Sequence, residues 1–206
     1  MAAPEPGRLR RGALALGLAL LPLLGAAQAG KPVAGQYEGL MVAVSPQGAV
    51  TGHYVEEQGE GVVKRCAFSL SGQLSAGGEA AIRSWSSVQL PGRLKFDKEG
   101  VTLTLPEGTQ HDGCGLVLMP QIATGLALDL VAPAGWTALH RITADKAPFF
   151  DTPQSAKPRR AYVVKGDVVG VLAEQDGWVR VEYPVKGKRV AGWLQPGTTA
   201  ALAAPR

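Results

Sequence analysis

The stretch "QYEGLMVAVSPQGAVTGHYVEEQGEGVVKRCAFSLSGQLSAGG", residues 36–78, decides the fold. Polar and apolar residues alternate through QYEGLMVAV, AVTGHYVEE and VVKRCAFSL, and each run ends in punctuation: SPQG, QGEG, SGQLSAGG. A period of two puts successive side chains on opposite faces of a strand. Gly, Pro and Ser then supply the turns. The runs start at residues 36, 49 and 62, a constant step of 13, which predicts hairpin-connected neighbours in a meander.

The same rhythm continues through AAIRSWSSVQL, GRLKFDKEG, VTLTLPEG and CGLVLMP, ending near residue 120. No segment after the N-terminus shows a long apolar rhythm of 3.6 residues, so the remaining chain is expected to be all-β. Residues 30–138 form one β domain, a meander barrel or a two-sheet sandwich; closure would remove its unpaired edges. Gly39 and Gly52 inside the runs fit bends or bulges. GQYEGLMV resembles the opening strand of calycin barrels, and that resemblance implies a small-ligand carrier as an alternative function.

Residues 1–29 have the three-part build of an export signal. Arg8, Arg10 and Arg11 form the basic region, Gly12 to Leu24 the apolar stretch, and Ala27-Gln28-Ala29 a small-x-small site that predicts cleavage between Ala29 and Gly30. The apolar stretch falls short of the ~20 residues that a spanning helix needs. No membrane span is expected after cleavage, and the protein is placed in the periplasm or outside the cell. Without the signal, 18 basic residues face 16 acidic ones. That near balance, with no basic run interleaved with aromatics, argues against nucleic acid as a partner.

Two cysteines remain, Cys66 and Cys114. Export places them where disulfides persist, and closing so long a loop is worth about 4 kcal/mol by chain entropy. His53 and His111 do not complete any zinc spacing with them, so no metal and no cofactor are expected.

After LVAPAGW a second alternating block, residues 139–198, begins, and residues 199–206 read as a tail expected to fray. Lys165-Gly166-Asp167, Asp176-Gly177-Trp178 and Gly192-Trp193-Leu194 follow in series through AYVVKGDVVGVLAEQDGWVRVEY and GKRVAGWL. In these turns and strands the block resembles the bacterial SH3 domain family, which implies a small SH3-like barrel that binds an envelope protein or a peptidoglycan component. The front of the block, KAPFFDTPQSAKPRR, departs from the Asn-Val-Arg-Ser-Gly-Pro-like stretch of many members.

Within GWVRVEY, Val179, Val181 and Tyr183 share one face and Trp178, Arg180 and Glu182 the other, which makes the valine face the core. Trp178 then either folds over a hairpin edge or forms a ligand platform with Tyr162, Phe149, Phe150 and Arg180. Trp193, behind a glycine that admits a close neighbour, is expected in the core.

No nucleophile elbow, zinc-protease helix or phosphate loop is present. The histidines are His53, His111 and His140; Glu56, Glu57 and Glu60 read as a solvated hairpin tip, and Lys157, Arg159 and Arg160 as a basic loop. The expected function is therefore non-enzymatic binding in the bacterial envelope. A further alternative is an inhibitor or immunity protein that presents PEGTQHDGCG to an envelope-degrading enzyme. The sequence leaves the oligomeric state open.

Overall fold

Eight strands of the computed structural model follow one another around a closed barrel: β1 (Gly35–Tyr37), β2 (Leu40–Val44), β3 (Ala49–Gln58), β4 (Lys64–Leu74), β5 (Glu79–Trp85), β6 (Gln89–Phe96), β7 (Gly100–Thr104) and β8 (Leu126–Pro133). The structure describes residues 1, 31–185 and 187–205; apart from residue 1, the segment expected to be an export signal, with the expected cleavage residues Ala29 and Gly30, lies outside them. Every neighbouring pair is antiparallel, and β1 closes on β8 with Gly35 opposite Pro133. Among the described residues there is no α-helix, and no helix is long and apolar enough to cross a membrane.

Alternation decides what faces inward. Val50, Gly52 and Tyr54 of β3 and Cys66, Phe68 and Leu70 of β4 point into the barrel. An eight-stranded barrel is just wide enough for its interior side chains to fill. Here Tyr37, Tyr54, Phe68, Leu94, Phe96 and Leu103 do so. Gly52 faces Leu70, which would lie 2.8 Å from any added Cβ, so the glycine makes room for a core leucine.

Three expected runs are redrawn. QYEGLMVAV is two strands, parted at Gly39, whose φ of +68° ends β1. AAIRSWSSVQL contains the β5–β6 hairpin turn at residues 86–88. CGLVLMP is no strand: Cys114–Leu116 and Pro120–Ala123 are 3-10 turns within an excursion that covers one end of the barrel. Cys114, Val117, Leu118 and Ile122 enter the barrel core, and Leu105 N–H donates to the Ile122 carbonyl at 2.7 Å. The Cys66–Cys114 disulfide therefore ties β4 to this plug and not to a second strand.

Beyond the barrel come β9 (Ala138–Ile142), β10 (Lys146–Pro148), β11 (Tyr162–Val164), β12 (Val168–Gln175), β13 (Trp178–Val185), β14 (Lys188–Leu194) and β15 (Thr199–Ala201). Five of them form a sheet of order β14-β13-β12-β9-β15, while β10 and β11 pair separately. Asp176 and Gly177, with φ of 50° and 79°, make the two-residue β12–β13 turn, the geometry that matches the twist of paired strands. Val179 and Val181 are buried with Phe149, Val163, Val169 and Leu194, so the valine face is indeed the core.

The tail does not fray as expected. Residues 199–201 pair with β9, and Leu202, buried, donates its N–H to the Leu139 carbonyl at 2.9 Å. Backbone pairing and apolar burial hold it where composition alone showed no signal.

A separate core joins the two parts: Ala43, Trp85, Trp136, Leu139, Val168 and Leu202. Trp136 is 1% exposed, and its Nε1–H donates to Glu182 Oε2 at 2.9 Å. The indole lies flat on β12, because a Cβ on Gly170 would sit 2.3 Å from the ring. Leu139 N–H donates to Thr51 Oγ1 at 3.0 Å, tying β9 directly to the barrel wall.

Candidate functional site

The aromatic platform expected on the second block is not open to a ligand. Phe149, Phe150 and Trp178 are 1%, 4% and 7% exposed. Phe150 and Trp178 meet edge to face at 5.2 Å, an arrangement favoured by the ring quadrupoles. Trp178 thus covers the hairpin edge, the packing role its alternation allowed. Tyr162 is exposed, but Lys146 Nζ stands 4.2 Å over its ring. Arg180 is exposed on the outer face of β13. Trp193 is only half-buried; its backbone exchanges hydrogen bonds with Phe150 at 2.8 and 2.9 Å, and Gly192 admits Phe149.

The loop PEGTQHDGCG is partly an internal plug. His111 and Cys114 are buried; His111 stacks on Phe68 at 4.7 Å and bonds Ser84 and Ser86 at 2.8 and 2.9 Å. Burial lowers its pKa, so a neutral imidazole is held between two hydroxyls. Among the described residues no group of three His, Cys, Asp or Glu side chains could hold a metal ion.

Chemistry gathers elsewhere, in a polar cleft of about 600 Å³ between the barrel and the five-stranded sheet. Arg65 enters it from β4, Arg141 from β9 and Lys165 from the β11–β12 turn, with His53 and Ser69 on the barrel wall. Their convergence follows from register: His53 lies opposite Ser69 across β3 and β4. Arg141 lies opposite Val168 across β9 and β12, close in sequence to the turn that carries Lys165.

Arg141 is half-buried, and its guanidinium donates to the Gly166 carbonyl at 3.1 Å and to Ser69 Oγ at 3.3 Å. Among the described residues it has no carboxylate within ion-pair distance. Burial first and the Arg65 charge second lower its pKa, so the protonated form is held against both. Arg65 shares a 3.2 Å contact with Glu57, and Lys165 a 3.9 Å contact with Asp145. All four of these side chains are well exposed, so each contact is weak. Asp167 also lines the cleft, but its oxygens are occupied: Oδ2 accepts from Val164 N–H at 2.8 Å and Oδ1 from Tyr183 O–H at 3.1 Å.

His53 completes the wall. Burial, then the Arg141 and Arg65 charges, push its pKa down to about 4, so it is neutral at pH 7. A guanidinium only donates, so Ser69 Oγ accepts from Arg141 at 3.3 Å, and the same hydroxyl shares a 3.1 Å hydrogen bond with His53 Nδ1. The cleft therefore offers three cations and neutral polar groups against one lining carboxylate, Asp167, a balance that suits an anion.

A second recess of about 660 Å³, against β7 and β8, has mostly acidic charged groups. Asp97 there accepts the backbone N–H groups of Glu99 and Gly100 at 3.0 and 2.7 Å, a turn-capping role.

Sequence reading did not single out Arg65 or Arg141, and took up His53 only as a histidine that completes no zinc spacing and sits in no catalytic motif. One signal was present: LHRI puts His140 and Arg141 side by side in a strand, so one of them must face inward. The chain matches no protein-family model, no curated protein and no solved structure.

Proposed function

We propose that this chain is an exported, non-enzymatic protein of the bacterial envelope, in which an SH3-like unit docks on a disulfide-tied barrel. The cleft between the two binds an anionic group of an envelope protein or peptidoglycan component. One observation carries the reading: Arg141 is kept charged without a carboxylate, beside Arg65 and Lys165, in a lining dominated by polar groups. Desolvating a charge is costly unless something compensates it, and a bound anion would. The disulfide and the N-terminal signal-like segment support export. The filled barrel interior directs attention to this outer cleft and away from a ligand carried inside.

The test is retention of the mature protein on purified sacculi and on immobilised envelope extract, compared with Arg141→Gln of unchanged near-UV circular dichroism. Retention that falls at least tenfold in the variant is expected. No retention on either bait, or equal retention by the variant, would overturn the reading.

A further inference from the structure

We infer that the cleft between the barrel and the sheet is built for a tetrahedral oxyanion bearing two negative charges, a phosphate ion or a terminal phosphate monoester, and discriminates against a carboxylate. This rests on the cleft being a ligand site, as proposed above, and names what it selects.

Direction is the first argument. A planar carboxylate is satisfied by one guanidinium in a bidentate pair. Here the three cations come from three separate segments, β4, β9 and the β11–β12 turn. A tetrahedral group presents oxygens to several sides at once, whereas a carboxylate would leave cations unanswered.

Charge is the second. Arg65 is close enough to disfavour the Arg141 proton, and the nearby carboxylates leave much of that charge unmatched. Glu57 engages Arg65 at the exposed rim, and Asp145, 96% exposed, stands 3.9 Å from Lys165. Asp167 accepts from Val164 and Tyr183 and brings one negative charge to the lining, which still leaves the three cations in excess by two. One negative charge would still leave the Arg65–Arg141 repulsion partly unrelieved; two would offset it.

The neutral wall is the third. His53 does not compete as a fourth cation at neutral pH, and its ring stands beside the Ser69 hydroxyl on that wall. Phe68 and Trp85 touch the cleft but are almost wholly buried, so little apolar surface is offered to a bulky organic body. A compact, strongly hydrated group matches that lining. The phosphate could be free or the end of a larger molecule; the cleft recognises the same atoms in either case.

The experiment is isothermal titration calorimetry on the mature two-unit chain at pH 7.5 and low salt. Inorganic phosphate, glycerol 3-phosphate and acetate are titrated separately. Phosphate is expected to bind at least tenfold more tightly than acetate. Arg141→Gln should weaken it at least tenfold, and Arg180→Gln, on the remote outer face, should leave it unchanged. Because Arg141 contacts both units, Arg65→Gln, at an exposed position that cannot unfold the core, serves as a second variant and should also weaken binding severalfold. Equal binding of glycerol 3-phosphate would show that a terminal phosphoryl group suffices; preference for inorganic phosphate would show that the free ion is the ligand. Acetate binding as tightly as phosphate, no phosphate binding, or binding indifferent to both Arg65→Gln and Arg141→Gln would overturn the inference. The two readings fail separately. Arg141-dependent retention on envelope material that phosphate neither matches nor displaces sinks this one alone. Phosphate binding without Arg141-dependent retention sinks the envelope reading alone.

Discussion

Replacing Trp136 with alanine should uncouple the two halves of the molecule. The side chain is 1% exposed at the centre of a joining core made of Ala43, Trp85, Leu139, Val168 and Leu202. Removing a buried tryptophan costs about 3–5 kcal/mol when its neighbours cannot collapse into the space. Collapse is blocked here because the ring rests on the bare backbone of Gly170, where there is no side chain to swing inward. The loss also breaks the 2.9 Å bond to Glu182, although Arg189 still reaches that carboxylate at 3.4 Å. Against a total stability of about 5–15 kcal/mol for a domain, such a loss is large. Urea unfolding followed by far-UV and near-UV circular dichroism should give coincident transitions in the parent. The variant should separate into two, the five-stranded sheet melting first. A loss below ~1 kcal/mol with transitions still coincident would refute the claim that this indole couples the units.

Gly170→Ala should act on the same contact without removing any surface: its Cβ would meet the Trp136 ring at 2.3 Å, and the displacement costs about 1–3 kcal/mol, readable as a lower urea midpoint. Cys66→Ala with Cys114→Ala opens a bridge of sequence separation 48; chain entropy alone predicts a loss of about 4 kcal/mol, and an unchanged melting temperature would contradict it. Burial lowers the pKa of His53, His111 and His140, His53 to about 4 from an ordinary 6.5. The unfolded chain therefore binds these protons first, so stability is full above pH 6.5 and falls as the pH drops towards 4, the window His53 sets. Each histidine contributes up to ~1.4 kcal/mol per pH unit within its own window. Urea midpoints between pH 7.5 and 4.5 measure the slope, which His53→Gln should reduce; a slope of the opposite sign would disprove the assignment.

The barrel was legible because period-two alternation reports one buried face, and β3 shows it through Val50, Gly52 and Tyr54 and β4 through Cys66, Phe68 and Leu70. The plug was not: CGLVLMP alternates well enough for a strand, yet Gly113 at φ of +73° and the bond to Cys66 turn the chain inward. Its apolar residues fill the barrel end and so mimic the pattern of a strand. The docking of the tail and of Trp136 has no local sign for a related reason, since the surface that buries them comes from distant parts of the chain. The cleft is the extreme case. Arg65 and Arg141 are 76 positions apart, and nothing local to either announces the other.

Arg141 also admits a purely mechanical reading, because its bonds to Ser69 and Gly166 tie the barrel to the β11–β12 turn. The two roles give opposite signs in one variant. Arg141→Met keeps much of the volume and removes the charge. A half-buried cation without a counter-ion is a net cost to folding, so a site held ready for an anion should become as stable or more stable when it is lost. Phosphate binding should disappear in the same variant. If the guanidinium is instead a clasp, methionine leaves the Ser69 hydroxyl and the Gly166 carbonyl without this donor and should destabilise the protein by about 1–3 kcal/mol. Urea midpoints of parent and variant, measured without phosphate, separate the cases: a clear fall would mean that the charge serves the fold, and the anion argument would lose its support. The placement favours the first outcome. The two bonds, at 3.1 and 3.3 Å, are long for a charged donor, and β9 is already fixed to the barrel through Leu139 and Thr51 and to the tail through Leu202.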